Sequence, residues 1–222
     1  MGQEMNPTLS STMKTDIRKS GVNAIILAGG KNTRMHGRDK AFLEIKGKAL
    51  IGILIEKFRL LADDIIVVTN SPRKYKNLNV KLVKDASPGK GPLMGICSGL
   101  KASLSRYNFI TACDTPFINE SLIRFMMQNA DGWDIMIPLA GNRSHPLCGV
   151  YSKNCVSVMD EMLEQDNLRI RDIFPKLKTR FISEKEIADF DKDFLSFMNI
   201  NTTEDLIRAE EMLNKIDLAI AV

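Results

Sequence analysis

Residues 23–40, NAIILAGGKNTRMHGRDK, limit what this chain can fold into more than any other stretch of it. An apolar run over residues 24–28 reads as a buried strand and empties into the paired glycines Gly29 and Gly30. A loop with four basic side chains follows, namely Lys31, Arg34, Arg38 and Lys40. Glycine lets a backbone come close to a bulky anion because no Cβ stands in the way. The N–H groups freed at such a turn, with cations a few residues on, form a cradle for phosphate. The turn therefore reads as a nucleotide site at the end of the first strand.

The rest of the chain supplies the sheet for that strand. Short β-branched runs alternate with helical patterns, which predicts an α/β fold: a three-layer α/β/α sandwich around a Rossmann-like, mostly parallel sheet. The predicted strands cover 24–27, 65–69, 80–83, 109–113, 135–138, 147–151, 180–183 and 197–200. Between the first two, Leu50, Ile53, Leu54, Lys57, Phe58 and Leu61 make a helical stripe over 49–61. Pro92 suits the first turn of a helix running to Ser105. Asn119 is a fitting N-cap for a helix that turns Leu122, Ile123, Phe125 and Met126 inward. Thr202 with Asp205 three residues on opens a last helix through Leu213. Met126, Met127, Met159 and Met162 read as core filler on such helices. The acidic run 184–193 reads as a solvated connection.

Composition narrows the function. A chain of 222 residues with 44% hydrophobic side chains suits one domain with a full core. We expect a disordered tail over 1–20, one domain over 21–215 and a short C-terminal tail over 216–222. A net charge of +4 fits a protein that handles polyphosphates, but it falls short of a nucleic-acid binder. The cysteines, Cys97, Cys113, Cys148 and Cys155, form no C-x-x-C pair. With only His36 and His145 beside them they give no zinc site. Buried free thiols in a reducing cytoplasm are the better reading. No apolar run approaches the roughly 20 residues that span a bilayer. The first residues lack the apolar core of a signal peptide, and Asn6 stands where a myristoylation signal needs Ser or Thr.

In open α/β sheets ligands sit beyond the carboxyl ends of the strands, so site residues should lie just after strands. Gly29 and Gly30 follow the first, Asn70 the second, Asp85 the third and Asp114 the fourth. Asn199 lies near the end of the last predicted strand and Asn201 follows it. Asp114 is the sharpest of these. An apolar strand that stops at a carboxylate and turns at Thr115-Pro116 projects charge into the crevice. Mg²⁺ commonly takes one or two carboxylates plus substrate phosphates, so one such Asp is enough.

The glycine loop is neither a Walker loop nor the dinucleotide fingerprint. Arg38 and Asp39 follow Gly37, and the first two glycines are adjacent. It closely resembles the signature L-A-G-G-x-S-x-R-M-G-G-x-D-K of the molybdenum cofactor guanylyltransferases. Leu27, Ala28, Gly29, Gly30, Arg34, Met35, Gly37, Asp39 and Lys40 fall on that pattern without a gap, while Asn32 and His36 depart from it. The resemblance extends from about residue 22 to 213 and recurs in further motifs. C-D-T-P-F at Asp114 is similar to the family's metal-binding strand end, and residues 88–95 resemble its P-G-x-G-P-L-x-G loop, which includes Gly91.

That resemblance implies a nucleotidyltransferase fold of the glycosyltransferase-A-like type. The implied reaction transfers GMP from GTP to the terminal phosphate of molybdopterin, with Mg²⁺ as cofactor and pyrophosphate as product. Asp114 carries over as metal ligand and catalytic residue. Lys40 and Arg34 carry over as the cations that neutralise the triphosphate. Leu27, Ala28, Gly29, Gly30, Lys40, Asn70, Asp85, Gly91 and Asp114 carry over as nucleotide contacts. Asp85 would accept hydrogen bonds from the guanine ring or from the ribose. Asn199 and Asn201 match the family's N-x-N-T segment near the acceptor, with helix capping as their competing role. His145 stands where the family meets its pterin, with a plain loop histidine as the alternative. A molybdoenzyme or its chaperone as recipient of the product is left open by the sequence. Two rivals stay in view: a cytidylyl-transferring relative, whose signature reads L-A-A-G where this chain has Gly29, and a non-catalytic nucleotide-binding regulator.

Overall fold

The computed structural model describes residues 21–29, 39–87 and 89–220. Expectations placed on Gly30, Lys31, Asn32, Arg34, Met35, His36, Gly37, Arg38, Pro88 and the first 20 residues lie outside the described residues.

The strands in chain order are β1 (Val22–Leu27), β2 (Glu44–Ile45), β3 (Lys48–Ala49), β4 (Ile65–Val68), β5 (Lys81–Val83), β6 (Tyr107–Ala112), β7 (Ile135–Ala140), β8 (Arg143–Ser144), β9 (Cys148–Ser152) and β10 (Thr179–Ile182). The α-helices are α1 (Leu50–Arg59), α2 (Pro72–Tyr75), α3 (Gly91–Ala102), α4 (Glu120–Gln128), α5 (Cys155–Glu164), α6 (Glu184–Ala188) and α7 (Thr203–Ile220). The main sheet runs β10-β7-β9-β6-β1-β4-β5, with β8 paired to β7. β1 pairs in parallel with both β4 and β6, and β4 with β5, while β9 runs antiparallel to both β6 and β7. The chain leaves β1 for β4 on one side and later returns to β6 on the other. This reversal of strand order makes the carboxyl ends of β1 and β6 the topological switch point.

Side-chain alternation along β1 explains the three layers. Ala24 and Ile26 face one core together with Ile51, Leu54 and Phe58 of α1 and Leu122 and Met126 of α4. Ile25 and Leu27 face the other, with Leu93, Ile96 and Leu100 of α3 and Met159 and Met162 of α5. Covering both faces is what lets every residue of β1 be buried, since a central parallel strand has no solvent side. Each fully buried Ile, Leu or Phe contributes roughly 1.5–3 kcal/mol. A third, smaller core joins Leu43, Ile45 and Leu50 to Ile200 and Ala209 and so docks α7 beside β2.

Local signals held at several element ends. Asn119 Oδ1 accepts from Ser121 N and Leu122 N at 2.8 and 3.1 Å, capping α4. Thr202 Oγ1 accepts from Asp205 N while Asp205 Oδ2 accepts from Thr202 N, a reciprocal cap on α7. The helix then continues past Leu213 to Ile220.

Two expectations are corrected. Residues 197–200 form no strand. A 3-10 turn, Leu195–Phe197, occupies their start, and Ile200 N donates a single backbone bond to Asp114 O at 2.8 Å. Their apolar character serves the third core, in which Ile200 is buried and Met198 packs. Nor is the acidic run 184–193 merely a solvated connection. Glu186 completes a capping box with Ser183 at the start of α6. Asp191 is buried and accepts from Leu195 N and Ser196 N at 3.1 and 2.8 Å.

Candidate active site

The switch point gathers polar groups in two clusters. The first lies over β1, β4 and β5. Asn70, just past β4, donates from Nδ2 to Asp85 Oδ2 at 3.2 Å. A Cβ on Gly29 would lie 3.6 Å from Asp85 Oδ2 and 3.8 Å from Asn70 Nδ2, so the glycine leaves open space in front of the pair. Asp85 Oδ1 is buried and has no hydrogen-bond partner among the described residues. Burial raises the Asp85 pKa above the usual carboxylate value, with the Asn70 hydrogen bond opposing the shift. Gly91 opens α3 with φ +69°, a conformation that glycine adopts without strain. Leu27 and Ala28 are buried, and their carbonyl oxygens accept from Cys113 N at 3.0 Å and from the Tyr75 hydroxyl at 3.3 Å, respectively.

The second cluster lies where β6 ends. Lys40 Nζ donates to Asn201 Oδ1 at 2.6 Å and stands 3.9 Å from Asp114 Oδ2. Three segments distant in sequence thus meet at one ammonium. Burial raises the Asp114 pKa, while the nearby Lys40 charge lowers it. The loop after Asp114 is held from behind. Lys57 Nζ donates to the carbonyls of Pro116, at 3.3 Å, and Ile118, and burial lowers the Lys57 pKa. Lys57, part of an apolar stripe in the sequence, thus ties α1 to the strand end that presents Asp114.

The remaining predicted residues fall at the margin. His145 precedes β9, and its ring stacks on Phe197 with centroids 4.1 Å apart and planes at 30°. Burial lowers its pKa, with Arg171 and Arg143 adding to the effect. Asn199 is exposed beyond the 3-10 turn. Sequence reasoning missed Tyr75, which is fully buried at the end of α2 and bonded to Asp39 and Ala28. No local pattern marks it, since its partners lie 36 and 47 positions away.

Among the described residues no group of three or more His, Cys, Asp or Glu side chains is placed to hold a metal ion. A divalent ion bound by one carboxylate such as Asp114 would take its other ligands from phosphate oxygens and water. A sheet with Gly29, a carboxylate and an ammonium at its switch point is the framework of a nucleotidyl-transferring enzyme.

The comparisons with known proteins supply the family. Residues 24–180 match the model of the MobA-like NTP transferase domain. The molybdenum cofactor guanylyltransferase of Desulfosudis oleivorans is 38% identical over 190 residues, covering 85% of this chain and 94% of that protein. A probable molybdenum cofactor guanylyltransferase of Natranaerobius thermophilus is 40% identical over 202 residues, covering 88% and 98%. The structure of molybdopterin-guanine dinucleotide biosynthesis protein A from Archaeoglobus fulgidus superposes with a TM-score of 0.75 at 25% identity, covering 87% of this chain and 99% of that one. The chain therefore belongs to the molybdenum cofactor guanylyltransferases within the MobA-like NTP transferase family.

Proposed function

We propose that this protein transfers GMP from GTP to the terminal phosphate of the molybdopterin cofactor and releases pyrophosphate. The observation that carries the reading is the meeting of Lys40, Asp114 and Asn201 at the switch point, with the Asn70–Asp85 pair beside Gly29. On this reading the guanine ring or the ribose donates to the unpartnered Asp85 Oδ1. Gly29, Gly30 and the start of α3 at Gly91 border the nucleotide. Lys40 and Arg34 neutralise the triphosphate. Asn201, Asn199 and His145 face the acceptor.

The chemistry asks for few residues. A phosphate monoester has a second pKa of about 6, so the acceptor is already ionised at neutral pH and needs no general base. The chain contributes in-line positioning and charge neutralisation at the α-phosphate. Mg²⁺, held by Asp114 together with phosphate oxygens, would supply Lewis-acid polarisation. The contact of Lys40 Nζ with Asn201 Oδ1, at 2.6 Å, holds the ammonium close to Asp114. No helix among the described residues is long and apolar enough to cross a membrane. Of the four free cysteines, Cys97, Cys148 and Cys155 are buried, in keeping with a reducing cytoplasm. Hand-over of product to a molybdoenzyme or its chaperone fits such a place.

The test is pyrophosphate release by the purified protein with Mg²⁺, molybdopterin cofactor, and GTP or CTP in parallel. Release with GTP alone supports the reading, and release with CTP alone overturns the base assignment. Asp114→Ala should nearly abolish transfer, and Lys40→Ala should slow it by about 10²-fold or more. Turnover of Asp114→Ala at the parent rate would refute the metal assignment.

A further inference from the structure

The Tyr75 hydroxyl meets two separate segments at the candidate site. It lies 3.3 Å from Ala28 O, where β1 gives way to the glycine turn, and 3.1 and 3.2 Å from the two carboxylate oxygens of Asp39. Asp39 in turn accepts from Ala41 N at 3.3 Å and caps the 3-10 turn Lys40–Phe42, whose first residue is Lys40. The phenol ring is fully buried and packs against Phe42 of that turn, with centroids 4.9 Å apart. Ala28 and Asp39, on either side of residues 30–38, thus converge on one hydroxyl and share its single proton, with the shorter contacts to the carboxylate.

Burial and the adjacent Asp39 charge raise the phenol pKa far above its usual value, so the group stays a proton donor throughout the working range. Lys74 also approaches Asp39, at 3.5 Å, but from a largely exposed position where an ion pair contributes little. The buried phenol is the partner that fixes the carboxylate.

We infer that Tyr75 is a positioning residue for the transfer reaction: its hydroxyl, through Asp39, sets where Lys40 enters the site relative to Gly29. The inference rests on the role proposed for Lys40 above. It needs no contact between Tyr75 and substrate, and the ring's packing is separate from the hydroxyl's task.

A double-mutant cycle reads this directly. Pyrophosphate release with Mg²⁺, GTP and molybdopterin cofactor is measured for the parent, Tyr75→Phe, Lys40→Ala and the double variant, with thermal melting alongside. Tyr75→Phe keeps the ring, so its melting temperature should stay within a few degrees of the parent while kcat falls about tenfold, the scale of one lost hydrogen bond to a charged group. The double variant should match Lys40→Ala, because without the ammonium there is nothing left to position. Asp39→Ala, which removes the other end of the contact and also the cap on the turn of Lys40, should lose at least as much as Tyr75→Phe, and adding Tyr75→Phe to it should cost nothing more. The same cycle read as Mg·GTP affinity, without pterin, keeps the answer independent of turnover. Tyr75→Phe at the parent rate and affinity would overturn the inference while leaving the role of Lys40 intact. A double variant slower than Lys40→Ala by the full Tyr75→Phe factor would reduce the hydroxyl to a general structural part. A Lys40→Ala protein equal to the parent would bring down the Lys40 assignment and this inference with it.

Discussion

Asn70 Nδ2 donates to Asp85 Oδ2 at 3.2 Å, and the other carboxylate oxygen, Asp85 Oδ1, is buried without a partner among the described residues. A buried acceptor left open is costly unless something arrives to fill it, and a nucleotide donor is the natural candidate. Asp85→Asn keeps the shape and can still accept one bond, but it loses the charge. It is expected to raise KM for GTP by roughly 10–100-fold, the scale of one to two charge-assisted hydrogen bonds, with kcat changed far less. Steady-state kinetics with varied GTP at saturating acceptor checks this. An unchanged KM would remove Asp85 from the nucleotide contacts.

The same carboxylate gives a pH dependence with a definite sign. Burial raises its pKa, so on acidification the folded protein takes up this proton before the unfolded chain does. The folded state is therefore favoured at low pH by this group and loses that advantage as pH rises through the raised value. Asp85→Asn should melt above the parent at pH 7, and the gain should fade as the pH is lowered through the carboxylate range. GTP affinity should move the other way. In the parent it weakens on acidification at a pH higher than an ordinary carboxylate would give, and that limb is absent in Asp85→Asn. Melting curves and nucleotide titrations over the same pH series separate the two trends.

Gly29→Ala tests the space in front of the pair. The added Cβ would meet Asp85 Oδ2 and Asn70 Nδ2 at 3.6 and 3.8 Å, which is ordinary van der Waals contact. Melting should therefore be little changed. The methyl nevertheless occupies the approach to both side chains, and GTP affinity is expected to fall about tenfold, roughly 1.4 kcal/mol. CTP, tested in parallel, should lose less. Equal loss for both nucleotides would mean that Gly29 does not discriminate between bases.

Asp191→Ala should be a stability variant. Its buried carboxylate accepts from Leu195 N and Ser196 N, while Ser196 Oγ accepts from Asn119 N and Asn119 Nδ2 donates to Phe190 O. Removing the acceptor leaves two backbone donors under-satisfied at a cost of roughly 2–4 kcal/mol. A chain of this size should then melt roughly 5–15 °C lower. Asp191→Asn, which keeps one acceptor, should recover part of the loss. Denaturation followed by circular dichroism decides it.

What could be read from the sequence was what is local in it. Apolar runs that end on Gly29, Asn70, Asp85 and Asp114 announce both the strand and the polar group after it, because a buried strand must stop before a carboxylate. Asn119 and Thr202 announced their helices because a cap and its helix are neighbours. Relations across the chain left no such mark. Lys40 and Asn201 are 161 positions apart, and nothing in either segment names the other. Residues 197–200 have strand-like composition because they bury against a third core, and a hydrophobic pattern cannot tell which surface will cover it. Asp191 looked like one more solvated acid because burial is decided by the fold around it.

The reversed direction of β9 has a consequence for how such a site is divided. A strand running with the majority delivers to the crevice whatever follows it, but a strand running against them delivers whatever precedes it. The link between β7 and β9, with β8 and His145, therefore belongs to the same end of the sheet as Asp114, since it leaves the carboxyl end of β7 and enters the reversed β9. Insertions or exchanges in that link can reshape one wall of the crevice without disturbing the register of β1, β4, β5 or β6. The strand ends that carry Gly29, Asn70, Asp85 and Asp114 and the link that carries His145 are thus separate segments at one end of the sheet.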